Sequence, residues 1–211
     1  TPCAAVGTGA GWVVHKLSLT SPDSGVRRRA LNFVASIIDF AGRYGAPAII
    51  GSMQGRAEGS VTRDHALNWL GEALEHLGPL ALGHGVPLLL EPLNRYESNL
   101  LNTVEQATEF LATVRNRNLR LLCDLFHMNI EEVSLPAAIR AAGGHIGHVH
   151  FADSNRLAMG LGHTAIEPIV QALRHVNYTG YLCAEVFPKP DAMRAATQTM
   201  TAIRHFTGAS T

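Results

Sequence analysis

Four apolar segments of the sequence each end in a side chain that can bind a metal ion. These strand-end residues are Glu91, Asp124, His150 and Glu185. An ionised group at the end of an apolar segment is costly to bury unless a cation or hydrogen bonds compensate it. Any one of them could cap a helix or pair with a basic side chain, but their recurrence on four successive segments indicates a shared site. Three carboxylates and one imidazole favour Mn²⁺ or Mg²⁺, with Co²⁺ also suitable.

The elements that must position these residues alternate along the whole chain. Short runs rich in Val, Ile and Leu predict strands at residues 3–6, 46–51, 86–91, 119–124, 146–151 and 181–186. Each run is almost continuously apolar, as in parallel strands that are covered on both faces. Segments with helical periodicity separate the runs, so the sequence predicts an α/β fold with a parallel sheet. Periodicity alone fits both a doubly wound sheet and a (β/α)8 barrel.

Further polar and aromatic residues lie in the segments that follow the predicted strands. Glu97, His127 and Arg156 follow three of the strand ends, where substrate contacts are usually built. Trp12 follows the first strand and could stack on a substrate or simply pack within its loop. Arg56 follows the second strand and could bind a phosphate or carboxylate group, or pair with Glu97 or Glu58. The glycine-rich segment at residues 7–11 is not expected to start a helix, which argues against a dinucleotide-binding fingerprint.

Composition excludes several classes of protein. The chain has 211 residues, and its 17 basic and 17 acidic residues give a formal net charge of zero, so nothing favours nucleic-acid binding. It contains no apolar run of about 18 residues, so a membrane span is not expected. Cys123 and Cys183 lie inside apolar runs and are interpreted as reduced, buried residues, which predicts a cytoplasmic protein.

Four sequence motifs, taken in order, identify a family resemblance. They are Glu91-Pro-Leu-Asn-Arg-Tyr-Glu97, Cys123-Asp-Leu-Phe-His-Met-Asn129, His148-Val-His-Phe-Ala-Asp-Ser-Asn-Arg156 and Gly180-Tyr-Leu-Cys-Ala-Glu-Val186. The chain resembles the sugar phosphate isomerase/epimerase family of the xylose isomerase-like TIM-barrel superfamily. In pattern it is most similar to ketose 3-epimerases of the D-tagatose and D-psicose type. The resemblance covers essentially the whole sequence.

The resemblance implies a set of roles for the residues already singled out. It implies that the four strand-end residues hold one divalent metal ion, for which the donor set leads us to expect Mn²⁺. It also implies that Glu91 and Glu185 act as the acid/base pair. Glu97, His127 and Arg156 match positions that contact the substrate, which would be a sugar or a sugar-like hydroxy-ketone. Family members usually form homo-oligomers, so a homo-oligomer is expected here.

The chemistry that this site predicts is proton transfer at a carbon next to a ketone. A divalent cation stabilises the enediolate formed when a glutamate removes that proton. A second glutamate on the opposite face can then return a proton and invert the carbon. The same site could perform aldose–ketose or hydroxypyruvate isomerisation, or the dehydration of a keto-inositol. An apurinic endonuclease is a weaker alternative, since it requires extra histidines and a basic face.

A complete (β/α)8 barrel has eight strands, whereas the sequence shows six βα units. In the resembling family the metal ligands lie on the last four strands. The first two βα units are therefore expected to be absent. We interpret residues 1–211 as a single TIM-barrel domain that is incomplete at its N-terminus.

Overall fold

A computed structural model describes residues 2–208 of the chain. Within these residues, six parallel strands form one curled sheet in which each strand pairs with its sequence neighbours. The strands are β1 (Val6–Gly7), β2 (Ala48–Ile50), β3 (Leu88–Leu90), β4 (Leu119–Asp124), β5 (Ile146–His150) and β6 (Leu182–Cys183). This sequential parallel order with intervening helices is that of a partial TIM barrel, in agreement with the barrel prediction.

Helices connect the strands and cover the outer face of the sheet. They are α1 (Ala10–Val13), α2 (Ser24–Gly42), α3 (Arg63–Gly83), α4 (Val104–Thr113), α5 (Leu125–Glu131), α6 (Leu135–Ala142), α7 (Ile166–His175) and α8 (Ala192–Thr207). Several begin at a residue whose side chain accepts a backbone N–H of the first turn, a common N-cap arrangement. These N-caps include Asp23, Thr62, Thr103, Ser134 and Asp191. In the described helices, none has the length and hydrophobicity needed to cross a membrane.

The alternation of side chains along the strands decides which residues face the site. Leu88 and Leu90 belong to the large core shared with the helices, whereas Leu89 belongs to a small separate cluster on the concave face. Successive side chains on a strand point to opposite faces, so a residue two positions after Leu89 or Leu122 also faces inward. The carboxylates of Glu91 and Asp124 are therefore directed into the interior of the curled sheet.

The structure corrects two local predictions. Residues 10–13 form a single turn of helix, α1, directly after the glycine-rich segment that was not expected to start one. Gly11 allows this turn to pack closely, because an added Cβ would overlap Phe33 and Met53. The first strand begins at Val6 rather than at residue 3, and most other strands are shorter than the apolar runs.

Candidate metal centre

The ends of neighbouring strands bring the four strand-end residues together. The ligand atoms of Glu91, Asp124, His150 and Glu185 all lie within 4.8 Å of one another. His150 Nδ1 lies at the centre of the group, 3.5 Å from Glu91 Oε1 and 3.5 Å from Asp124 Oδ2. The same nitrogen lies 3.4 Å from Glu185 Oε2. The structure thus assembles the residues that the sequence singled out.

Strand register explains how these side chains meet. Asp124 and His150 are direct partners in the pairing of β4 with β5. The backbone N–H of Glu91 donates to the Ile50 carbonyl at 3.0 Å, which continues the ladder between β2 and β3 by one residue. Glu185 follows two residues after β6. The carboxyl ends of parallel strands share one edge of the sheet, so all four side chains reach the same mouth.

Unpartnered buried atoms show that this cluster fits a cation. Glu91 Oε1, Asp124 Oδ2 and His150 Nδ1 are buried and have no hydrogen-bond partner among the described residues. Leaving such groups without a partner is costly, and native proteins pair almost all of them. These atoms converge on one point, and carboxylate oxygens with an imidazole nitrogen suit a divalent ion of the Mn²⁺ or Mg²⁺ kind.

The charges in the cluster shift the pKa values of its members. Burial raises the pKa of Glu91. Burial alone would lower the pKa of His150, but the adjacent Asp124, Glu185 and Glu91 carboxylates outweigh it and raise that pKa to about 12. Contact with His150, assisted by Arg156, lowers the pKa of Glu185 to about 2. In the absence of a metal, the His150 imidazolium therefore supplies the positive charge that balances the carboxylates.

The cluster opens into a cavity of about 500 Å³. Among the predicted site residues, the ones that line it are Trp12, Arg56, Glu91, Glu97, His127, His150, Arg156 and Glu185. Asp124 lies beneath the cavity floor, where its side chain is fully buried. A larger open groove of about 970 Å³ runs between α3 and α4 and contains none of these residues. Converging buried polar groups, rather than size, identify the smaller cavity as the candidate site.

Arg156 connects the two sides of the cavity mouth. Its guanidinium donates to Glu185 Oε2 at 2.7 Å and lies 3.4 Å from Glu97 Oε1. The guanidinium carbon also lies 4.8 Å from the centre of the Phe126 ring, a cation–π contact. Phe126 was not predicted as a site residue. The arginine is thus held by an anion on either side and by an aromatic face beneath it.

His127 is held by Asn94, a second residue that was not predicted from the sequence. The Asn94 side-chain amide lies 2.7 Å from His127 Nδ1, and the Asn94 backbone N–H donates to the same nitrogen at 3.3 Å. Nδ1 is therefore an acceptor, and the proton of a neutral His127 ring lies on Nε2. That nitrogen is 3.7 Å from Asp124 Oδ2 and 3.9 Å from Glu91 Oε1. Asn94 lies within the Glu91–Glu97 motif, and this position was the only indication in the sequence that it could belong to the site.

Trp12 and Arg56 lie on the cavity wall contributed by the first two strands. Trp12 is on α1 and exposes about a third of its surface. Arg56 donates to the Tyr96 carbonyl at 3.2 Å. The alternative that Arg56 pairs with Glu97 or Glu58 is not seen, because no carboxylate of residues 2–208 lies within 4.0 Å of its guanidinium.

The chain is similar in sequence to curated sugar epimerases. The chain is 32% identical over 174 residues to D-psicose 3-epimerase of Ruminiclostridium cellulolyticum, which covers 81% of the chain and 59% of that protein. It is 38% identical over 175 residues to L-ribulose 3-epimerase of Mesorhizobium japonicum, which covers 80% of the chain and 58% of that protein. The chain therefore spans about three fifths of the length of these curated relatives.

The chain also matches a solved structure and a family model. A crystal structure of D-psicose 3-epimerase in the presence of D-fructose superposes with a TM-score of 0.81 at 28% identity, over 91% of this chain and 75% of that one. The family model described as xylose isomerase-like TIM barrel matches residues 2–203. Since this match spans nearly all of the described residues, the chain belongs to the xylose isomerase-like TIM barrel family.

Proposed function

We propose that the protein is a divalent-metal-dependent isomerase that epimerises a ketose by moving the proton next to its carbonyl, as a ketose 3-epimerase does. The observation that carries the proposal is the convergence of Glu91, Asp124, His150 and Glu185 on one point at the base of a cavity. Relatives over most of the chain are named as 3-epimerases of D-psicose and L-ribulose. A cavity of about 500 Å³ has room for a sugar of this size.

In this proposal the four strand-end residues hold one divalent ion, with Mn²⁺ preferred and Mg²⁺ or Co²⁺ as alternatives. When bound, the ion supplies positive charge that stabilises the enediolate developing on the substrate. The fit rests on the buried, unpartnered atoms of Glu91, Asp124 and His150. It also rests on the hardness of the donor set.

The proton transfers are assigned to Glu91 and Glu185. Their carboxylates both reach His150 Nδ1, yet they come from β3 and from the segment after β6, with β4 and β5 between them. In this proposal the two carboxylates face different sides of a substrate bound at the cluster. One removes the proton from the substrate carbon, and the other returns a proton to the opposite face. Proton transfer of this kind contributes roughly 10²–10⁴-fold to the rate.

The remaining cavity residues orient the sugar. Arg156 and His127 present N–H donors beside the cluster, and Glu97 presents an acceptor at its edge. Such groups hold carbonyl and hydroxyl oxygens in the geometry needed for proton abstraction. Trp12 and Arg56 form the wall farther along the cavity and are assigned to the distal part of the substrate.

The test is metal content together with proton exchange. We would measure bound metal by mass analysis, and C3 deuterium incorporation into D-psicose and L-ribulose by NMR in D₂O. About one Mn²⁺ per chain and C3 exchange are expected. Glu185→Gln should lose exchange by roughly 10²–10⁴-fold. The matched control, Glu58→Gln, changes an exposed glutamate outside the cavity and should keep both properties.

Each other outcome excludes part of the proposal. Stoichiometric metal without exchange on any ketose would refute epimerisation and favour the keto-inositol dehydratase or hydroxypyruvate isomerase alternatives. Absence of stoichiometric metal would refute the four-ligand site. Three metal ions per chain would instead favour an endonuclease-like centre.

A further inference from the structure

Asp153 is a buried carboxylate in the segment that follows β5, and none of the functions proposed above involves it. Its side chain accepts backbone N–H groups from both ends of the loop at residues 153–164. Oδ1 accepts from Ser154 at 2.7 Å and from Thr164 at 3.0 Å. Oδ2 accepts from Gly160 at 2.7 Å and from Gly162 at 2.9 Å. The loop is therefore folded around one carboxylate.

These hydrogen bonds require a carboxylate rather than an amide. Asp153 is 1% exposed, and burial by itself would raise its pKa, but the surrounding loop donors lower that pKa to about 2. Both oxygens accept hydrogen bonds. Replacing one of them with an NH₂ group would remove its acceptor and place an N–H donor next to the backbone N–H donors. Hydrogen bonds to a charged group are about twice as strong as neutral ones, so this arrangement fixes the loop firmly.

Asp153 is coupled through the backbone to Arg156. The Arg156 N–H donates to the Asp153 carbonyl at 2.8 Å, and the Arg156 carbonyl accepts from the Phe187 N–H at 2.8 Å. Arg156 has a φ of 58°, in the left-handed region that non-glycine residues rarely adopt. A residue in this region persists only where its surroundings hold it. The conformation determines where its guanidinium lies, which is against Glu185 and Glu97.

We propose that Asp153 is a positioning residue that acts through Arg156. By gathering the N–H groups of the loop, its carboxylate holds the left-handed turn that places the Arg156 guanidinium against Glu185. This inference rests on the proposed function, because its kinetic consequence requires that Arg156 and Glu185 serve the reaction. Asp153 itself lies outside the cavity lining and is not assigned to contact substrate.

Two variants break the same arrangement in different ways. Asp153→Asn keeps the size of the side chain and removes one acceptor oxygen. Gly162→Ala retains the Asp153 carboxylate, but the added Cβ would overlap Asp153 Oδ1 and Ser154 Oγ and so displace the loop. A displacement of about 1 Å at a reacting group costs roughly 10²-fold in rate, so both variants should lower kcat by up to this factor. kcat should be measured at saturating Mn²⁺, because His150 lies three residues before Asp153 and Arg156 contacts Glu185, so metal affinity can change as well.

A double-mutant cycle with Arg156→Gln separates positioning from a merely structural role. If Asp153 acts through Arg156, Asp153→Asn should lower kcat in the wild-type background and have little effect once Arg156 is replaced. The control is Asp23→Asn, since Asp23 is an exposed N-cap that also accepts backbone N–H groups. It should leave kcat unchanged in both backgrounds.

The result that would overturn the proposal is an unchanged kcat in Asp153→Asn, or an equal loss with and without Arg156. Amide NMR distinguishes these failures from failure of the proposed function. The Gly160 and Gly162 amide signals should shift upfield in Asp153→Asn whether or not the protein epimerises a ketose. If the wild type exchanges no ketose proton but these signals shift, the proposed function is refuted and the loop arrangement is retained. If they do not shift, the loop arrangement is refuted.

Discussion

Binding of a divalent ion at the cluster should release a proton from His150. Before metal binding, His150 Nδ1 lies within 3.5 Å of three carboxylates, and its pKa is raised to about 12. The imidazole is therefore protonated at neutral pH. A metal ion needs the nitrogen lone pair, so the proton must leave when the ion binds. We expect about one proton released per Mn²⁺ bound at pH 7.

The size of the His150 shift determines how this release depends on pH. Protons compete with the metal, so affinity should rise about tenfold for each unit of pH as long as the pH lies below the His150 pKa. With a pKa of about 12, the slope should persist from pH 6 to pH 8. An unperturbed histidine, with a pKa of about 6.5, would show a slope that vanishes above pH 7. Titration at pH 8 therefore discriminates between the two cases.

Isothermal titration calorimetry in buffers of different ionisation enthalpy measures the released protons directly. The chain offers a matched control on the same strand. Burial and the neighbouring His150 charge lower the pKa of His148 to about 4, so His148 is already neutral at pH 7. Proton release should therefore survive His148→Asn and fall close to zero in His150→Asn.

Two results would refute this reasoning. The first is metal binding to the wild-type protein at pH 8 without proton release. The second is loss of the release in a folded His148→Asn variant, since that would place the titrating proton on the wrong histidine.

Two further substitutions test the site and the core, each against a control. Gly51→Ala should weaken Mn²⁺ binding by roughly 10- to 100-fold in a metal titration, because the added Cβ would overlap the Glu91 carboxylate. The control is Gly7→Ala, whose added Cβ has no neighbouring atom within 4 Å, and this variant should bind Mn²⁺ normally. Leu74→Ala should lower the free energy of unfolding, measured by urea denaturation, by about 2–5 kcal/mol, because Leu74 is fully buried. The control is Leu82→Ala, which should lower it by about 0.5 kcal/mol or less, because Leu82 is 60% exposed. Normal metal binding by Gly51→Ala, or equal losses for the two leucines, would contradict these expectations.

The strand-end ligands could be predicted because their signal is local. An ionisable residue that ends an apolar run is conspicuous, and the parallel alternation of elements places such ends on one edge of the sheet. Helix starts are local features as well, since Thr103 and Ser134, residue types that favour the N-cap position, are N-caps in the structure. Periodicity could not distinguish a doubly wound sheet from a barrel. That choice depended on the resemblance of the motifs to a known family.

Other features could not be predicted from side-chain patterns. The helix α5 has seven residues, too few to show a clear apolar stripe. Its N-cap is Asp124, so this strand-end residue caps a helix and also lies in the four-residue cluster. The partners of Asp153 are backbone N–H groups, which any residue other than proline supplies. Asn94 was missed for a related reason, because its contact with His127 joins residues 33 positions apart in the chain.

The arrangement of one ligand per strand end has a consequence for unfolding. An ion held by Glu91, Asp124, His150 and Glu185 would act as a cross-link that joins β3, β4, β5 and the segment after β6. A slip of one residue in any of these pairings would turn a ligand to the opposite face and abolish the site. The ion would therefore bind only the correctly paired sheet. At a hundred times its dissociation constant it would add about 2.7 kcal/mol to the free energy of unfolding. The melting temperature would then report on metal occupancy, and a chelator would loosen all of these strands together.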